Sequence, residues 1–288
     1  MANGAVNAAT LDRSPPASVG DAELRDLTDF ACRLADAAGA QILPHFRVPI
    51  EIQNKAGPDA YDPVTAADLG AESAMRALIR STYPDHGIYG EEGGHARGIK
   101  ALTWVIDPLD GTRAFITGAL HWGVLIALYD GSHPILGVMD QPYTRERFVG
   151  NRFGARWMRE GEQRTLATRA CTELGEAVLY TTAPELFSDE AERHAFERLA
   201  SRVKLPRYGG DCYSYCMLAS GYVDLVVESD LKPYDIQALI PIIESAGGIV
   251  TSWTGGAAHY GGAIVAAGNA AVHDAALRVL QGREPGRV

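Results

Sequence analysis

The longest apolar rhythm lies near the N-terminus. Leu24, Leu27, Phe30, Ala31, Leu34, Ala38 and Ile42 recur at helical spacing and predict a helix over 21–46, closed by Pro44 and Pro49. A strand is predicted at 50–54 and a loop at 55–59, where Gly57 and Pro58 break the pattern. The stretch 62–68 opens a second helix that runs to about 83, with Thr65 as its N-cap. At 104–106 the pattern reads as the end of a buried strand, which Pro108 and Gly111 turn into a tight loop. Short apolar segments at 122–129, 135–141, 147–150 and 154–158, bounded by turns such as Asp130-Gly131, predict an antiparallel meander. Beyond about residue 165, strands at 178–182, 205–208, 224–228, 248–251 and 263–267 alternate with helices at 212–221, 234–247 and 270–280. A further helix starts at Ser188, read as the cap of an acidic first turn (Asp189, Glu190, Glu192). That alternation predicts a more parallel sheet.

The change of character near 165 divides the chain into a flexible tail over 1–20, an N-terminal half over 21–165 and a C-terminal half over 166–288. The tail is rich in Ala, Asn, Ser and Pro and has no apolar h-region, so it does not read as a signal peptide. The chain has 288 residues and 47% apolar content, enough for one large domain or two smaller ones. With 36 acidic against 26 basic residues the net charge is −10, which disfavours nucleic acid and anionic membranes as partners. No apolar run is long enough to predict a transmembrane helix. Cys32, Cys171, Cys212 and Cys216 form no C-x-x-C pair and point to a reduced, cytoplasmic setting; Cys212 and Cys216 read as core packing.

The candidate chemistry is carboxylate chemistry. Asp107 and Asp110 flank the turn at 107–111, where two acids at one bend are costly unless a cation neutralises them. Carboxylates are hard oxygen ligands, suited to Mg²⁺ rather than zinc. Gly111 permits close backbone approach, and Thr112 stands at a helix start, where free N–H groups favour phosphate. Taken alone, the turn also reads as a helix cap with two solvated acids. Further acidic stations, Asp62 with Asp68, Glu91 with Glu92, and Asp235, lie at element boundaries. Glu91 and Glu92, between glycines, also read as an exposed acidic turn.

Three ordered motifs decide between these readings: Gly90-Glu91-Glu92; Asp107-Pro108-Leu109-Asp110-Gly111-Thr112; and Pro233-Tyr234-Asp235 followed by Glu244-Ser245-Ala246-Gly247-Gly248. Over about 22–281 the chain resembles the inositol monophosphatase superfamily of Mg²⁺-dependent phosphatases. The resemblance implies an α/β (α+β) fold, a layered α-β-α-β-α sandwich, with the active site where the halves meet. It implies two or three Mg²⁺ ions. One would be held by Glu91, Asp107 and the Leu109 carbonyl, and a second by Asp107, Asp110 and Asp235. Thr112, linked to Asp68, would orient the attacking water with Glu91, while the Gly111 and Thr112 amides bind phosphate. Glu92 would either hold a weak third ion or face solvent.

Arg113 to Gly118, Asp140-Gln141-Pro142 and Gly209-Gly210-Asp211-Cys212 look like the histidinol-phosphate phosphatase branch. The implied activity is hydrolysis of L-histidinol phosphate in histidine biosynthesis by a homodimer. Substrate contacts would lie near Arg113, Gly210, Asp211 and Glu228, the two acids pairing with ammonium or imidazole. Arg113 alternatively pairs with a structural acid. Two other readings remain: an inositol or broad-specificity sugar-phosphate phosphatase, and a non-catalytic dimeric scaffold that keeps the fold. The superfamily's Trp-Asp is here Tyr234-Asp235, and Pro241 predicts a kink in the helix that follows.

Overall fold

The computed structural model describes residues 16–55, 61–187 and 189–283. The predicted tail up to residue 15, the loop beyond Lys55 and the cap at Ser188 lie outside the described residues. Helix α1 (Asp21–Ile42) passes into a 3₁₀ turn at Leu43–His45, so it ends earlier than predicted, where Pro44 has no N–H to donate. Strands β1 (Ile52–Asn54) and β2 (Pro63–Thr65) form a separate antiparallel pair leading into α2 (Ala66–Thr82). Thr65 caps α2: its hydroxyl accepts from Ala67 N while its own N–H donates to Asp68, a reciprocal capping box.

The first sheet holds β3 (Gly87–Gly90), β4 (Gly94–Ala96), β5 (Thr103–Asp110), β6 (Gly123–Tyr129), β7 (Pro134–Gln141), β8 (Glu146–Asn151), β9 (Gly154–Arg159) and β10 (Glu162–Thr165), in the order β10-β9-β8-β7-β6-β5-β3-β4. All neighbours are antiparallel except β3 and β5. Strands β3, β4 and β10 went unpredicted; each is too short to carry a period of its own. Helix α3 (Thr112–Ile116) follows β5 directly.

The second sheet holds β11 (Val178–Thr181), β12 (Leu205–Tyr208), β13 (Leu225–Leu231), β14 (Ile249–Ser252) and β15 (Gly262–Ala267), in the order β12-β11-β13-β15-β14. It is mixed: β11 runs parallel to β12 and β13, while β15 runs antiparallel to β13 and β14. The remaining helices are α4 (Glu190–Ala200), α5 (Asp211–Ala219), α6 (Pro233–Ile236), α7 (Leu239–Ser245) and α8 (Ala270–Leu280). Asp189 caps α4: its carboxylate accepts from Ala191 N and Glu192 N.

Three apolar clusters explain the stacking. Leu27, Phe30 and Leu34 of α1 and Met75 of α2 pack on Trp104, Ile126 and Val138 of the first sheet. The other face of that sheet, with Val105, Leu125 and Phe148, packs on Tyr215, Cys216, Leu239 and Ile242 of the inner helices. Those helices in turn cover Val226, Ile264 and Ala266 of the second sheet. Phe196 of α4 and Val272 of α8 bury the outer face, at Leu225, Val227 and Val265. The layers therefore read α-β-α-β-α.

The helix predicted over 234–247 is broken into α6 and α7. Pro241 falls in the first turn of α7, where no N–H is required, so the chain restarts the helix ahead of Pro241 instead of bending around it. Helix α7 lies against bare backbone: a Cβ at Gly137 would stand 1.8 Å from Ala238 O, and one at Gly150 would stand 2.3 Å from Ile242 Cα. Any side chain at either position would push the inner helix layer off the first sheet.

Candidate active site

The site begins at the C-terminal end of β5. Its pairing with β6 shifts register between Asp107 and Asp110, so the strand continues through Pro108 with a bulge instead of ending before it. Both carboxylates consequently project at one end of the sheet. Asp235 comes from the first turn of α6, its orientation fixed by Lys232 N, which donates to Asp235 Oδ2 at 2.7 Å. One oxygen each from Asp107, Asp110 and Asp235 lie within 4.8 Å of one another. Glu91, at the end of β3, faces Asp107.

Two backbone amides hold the pair on β5. Leu109 N donates to Asp107 Oδ1 at 2.9 Å, and Cys212 N, in the first turn of α5, donates to Asp110 Oδ2 at 2.7 Å. These bonds favour the ionised forms, but burial and like charge outweigh them. Burial, then Glu91, Asp110 and Asp235, push the Asp107 carboxyl well up. Burial, then Asp110 and Glu91, push Asp235 well up, and burial raises Asp110 to about 6. An all-oxygen donor set whose members repel one another suits a hard divalent cation.

Thr112 stands next to this cluster. Gly111 adopts φ 83°, and a Cβ there would come 2.9 Å from His121 O, so only glycine fits the turn that starts α3. The Thr112 hydroxyl lies 3.1 Å from Leu109 O and 3.4 Å from Asp68 Oδ1. Asp68 is itself fastened: its Oδ2 accepts from Thr65 N at 2.9 Å and Thr65 Oγ1 at 2.6 Å.

Glu91 and Glu92 are not an exposed turn. Lys55 Nζ lies 2.7 Å from Glu91 Oε1 and 2.8 Å from Glu92 Oε1. The Glu92 side chain is only 7% exposed, which removes the reading that it faces solvent; burial first, and then Glu91, push its carboxyl up to about 7 against the pull of Lys55. Glu72 of α2 holds the turn from below, accepting from Glu92 N at 2.7 Å and Gly93 N at 2.8 Å while paired with Arg76 at 2.6 Å. Neither Lys55 nor Glu72 was singled out from sequence. The signal for Glu72 and Arg76 was available: both fall on the apolar face of α2 with Ala71, Met75 and Ile79, where a charged pair needs a reason. Asp62 stays at the surface and reaches the group only through Lys55, at 3.7 Å.

A cavity of about 180 Å³ opens beside the acids between the two sheets. Asp107, Asp110, Gly111, Thr112 and Asp235 line it together with Thr182, Leu186, Phe187, Asp211, Tyr215 and Glu228. Asp211 takes φ 42°, a left-handed conformation unusual for aspartate, directly after Gly210 at φ 125°. Burial, then Asp110 and Glu228, push its carboxyl up to about 8. Glu228 is already engaged. Its Oε1 accepts from Thr182 N at 3.0 Å and from Thr182 Oγ1, and its Oε2 accepts from Tyr215 OH at 2.8 Å. Among the described residues Arg113 pairs with no acid; its guanidinium donates to Tyr61 O at 2.7 Å and its charge lowers the Asp211 pKa.

Layered sheets with an acidic oxygen cluster at their junction define the class of protein, a phosphomonoesterase. The chain belongs to the inositol monophosphatase family, whose model matches residues 23–283. It is similar to the chloroplastic bifunctional phosphatase IMPL2 of Arabidopsis thaliana, 45% identical over 282 residues that cover 94% of this chain and 80% of the relative. A histidinol-phosphatase of Mycobacterium tuberculosis is 33% identical, over 87% of this chain and 96% of that one. An inositol monophosphatase structure from Zymomonas mobilis superposes with a TM-score of 0.79 at 41% identity, covering 89% of this chain and 98% of the other. No helix among the described residues is long and apolar enough to cross a membrane.

Proposed function

We propose that the protein is a Mg²⁺-dependent phosphatase whose substrate is L-histidinol phosphate. Glu91, Asp107, Asp110, Asp235 and the Leu109 carbonyl would hold two or three ions. When bound, these lower the pKa of a water and neutralise charge on the phosphoryl group. The chain's own groups do the rest. The Gly111 and Thr112 amides face the phosphoryl oxygens at the start of α3. The Thr112 hydroxyl proton is committed to Leu109 O or Asp68, which leaves the oxygen lone pairs to accept a hydrogen bond from a water. Glu91, across the cluster, is the second acceptor that aligns that water.

The observation that carries the substrate is Asp211. It takes a left-handed backbone conformation, is partly buried and beside two other acids, and lines the cavity with no side-chain ion pair among the described residues. A cationic leaving group relieves that arrangement; a polyol does not. Glu228, with three donors already in place, supports the pocket more than it reads charge. The histidinol-phosphatase names among the relatives favour the same ester. The test is phosphate release from histidinol phosphate, inositol 1-phosphate, a nucleoside 3′,5′-bisphosphate and fructose 1,6-bisphosphate, each with Mg²⁺ and with chelator. The expected result is Mg²⁺-dependent turnover with the highest kcat/KM for histidinol phosphate. Preference for inositol 1-phosphate would reverse the substrate assignment, and chelator-insensitive turnover would remove the metal.

A further inference from the structure

The cavity beside the acids has apolar lining as well as acidic lining. Leu186 and Phe187 line it together with Asp211, at the end of a 3₁₀ turn that begins at Pro184. Leu186 is 37% exposed, so its side chain is open to a molecule in the cavity that it lines. The segment carrying it is fixed at several points. Phe187 stacks on Phe196 with ring centroids 4.7 Å apart and leans on Trp253 at 6.0 Å. Consecutive residues of β13 fasten both ends: Glu228 takes the Thr182 amide and hydroxyl, and Ser229 donates to Glu192 in the first turn of α4. Gly209 N donates to Thr182 O at 2.8 Å, which ties the segment to the Gly209-Gly210-Asp211 turn. An apolar surface held this firmly beside an acid matches a leaving group with a flat, partly apolar body and a positive charge.

We propose that Leu186 is a specificity-determining residue: it forms the apolar wall against which the ring of a cationic, heteroaromatic leaving alcohol packs while Asp211 takes the charge. This rests on the substrate class proposed above. A wall that packs equally on the leaving group in the ground and transition states contributes uniform binding, which appears in KM and not in kcat.

The test compares wild type, Leu186→Asn and Leu186→Met on histidinol phosphate and inositol 1-phosphate, with melting temperatures measured alongside. Leu186→Asn is expected to raise KM for histidinol phosphate about tenfold, the scale of one lost apolar contact, with kcat within about twofold. KM for inositol 1-phosphate should stay level or fall, and Leu186→Met should restore most of the loss because it keeps the apolar volume. Equal KM changes on both esters, a loss confined to kcat, or no change would overturn the proposal. If wild type turns over inositol 1-phosphate and not histidinol phosphate, the substrate reading fails and the proposal falls with it; that outcome is visible before any variant is made.

Discussion

Cys212 and Asp110 stand 102 positions apart in sequence, yet the Cys212 amide donates to Asp110 Oδ2 at 2.7 Å. The first turn of α5, packed between the sheets, thereby holds an acid at the end of β5 in the first sheet. Asp235 of α6 completes the same cluster. The proposed metal ligand Asp110 and the proposed leaving-group contact Asp211 are thus coupled through one short helix start, since Asp211 immediately precedes Cys212.

Metal-free protein should become less stable as pH rises from about 4 through 6. Asp107, Asp110 and Asp235 all have folded-state pKa values raised above ordinary carboxyl values, Asp110 to about 6. A raised folded-state pKa contributes stability that is complete below the unfolded value and lost as pH climbs through the folded one. Melting temperature measured in chelator across that range should fall by several degrees, and Mg²⁺ should restore more of it at pH 7 than at pH 4.5. A melting temperature that rises with pH in chelator would mean the cluster is not under mutual repulsion.

Asp107→Asn should cut turnover by more than about tenfold to a hundredfold, because losing a ligand costs no less than the roughly 10- to 100-fold typical of its outer partners. It should leave the circular dichroism spectrum unchanged. The same substitution removes a repelling charge, so metal-free protein should melt roughly 2–4 °C higher for each kcal/mol relieved. Activity near that of wild type would show that Asp107 is not a ligand.

Glu72→Ala should cost about 3 kcal/mol, since it strands the buried Arg76 and releases the Glu92 and Gly93 amides. Glu91 then loses its support, and Mg²⁺ affinity should drop with stability. Urea unfolding and a Mg²⁺ titration check the two effects; a stability loss with unaltered Mg²⁺ affinity would separate the turn from the site.

Asp211→Asn should reduce kcat/KM for histidinol phosphate roughly ten- to a hundredfold, the scale of one charge-assisted contact, and change hydrolysis of glycerol phosphate much less. Equal losses on both esters would assign Asp211 to the fold or to catalysis.

What the sequence disclosed follows from the range of each interaction. The helix predicted over 270–280 is α8 as found, and Thr65 caps α2 as predicted, because both signals are local. The acids at 107, 110 and 235 were legible through ordered motifs, although nothing local says that they meet. Less visible were features set by tertiary contact. Lys55 sits in a loop and gains its role only from the turn at Glu91 and Glu92. The break between α6 and α7 depends on where Pro241 falls in the restarted helix. Glu228 reads from sequence as a partner for ammonium or imidazole, and only tertiary contact brings Thr182 and Tyr215 to its carboxylate. The mixed direction of the second sheet arises from β15, whose strand pattern carries no mark of orientation.

A divalent metal centre assembled from β5 and α6 together is tested by a Mn²⁺ titration followed by electron paramagnetic resonance, with Mg²⁺ competition, on wild type and Asp235→Asn. Wild type should bind at least two Mn²⁺ per chain, displaced by Mg²⁺, and Asp235→Asn should lose at least one of them while keeping its fold. Unchanged stoichiometry and affinity in Asp235→Asn would contradict the assignment.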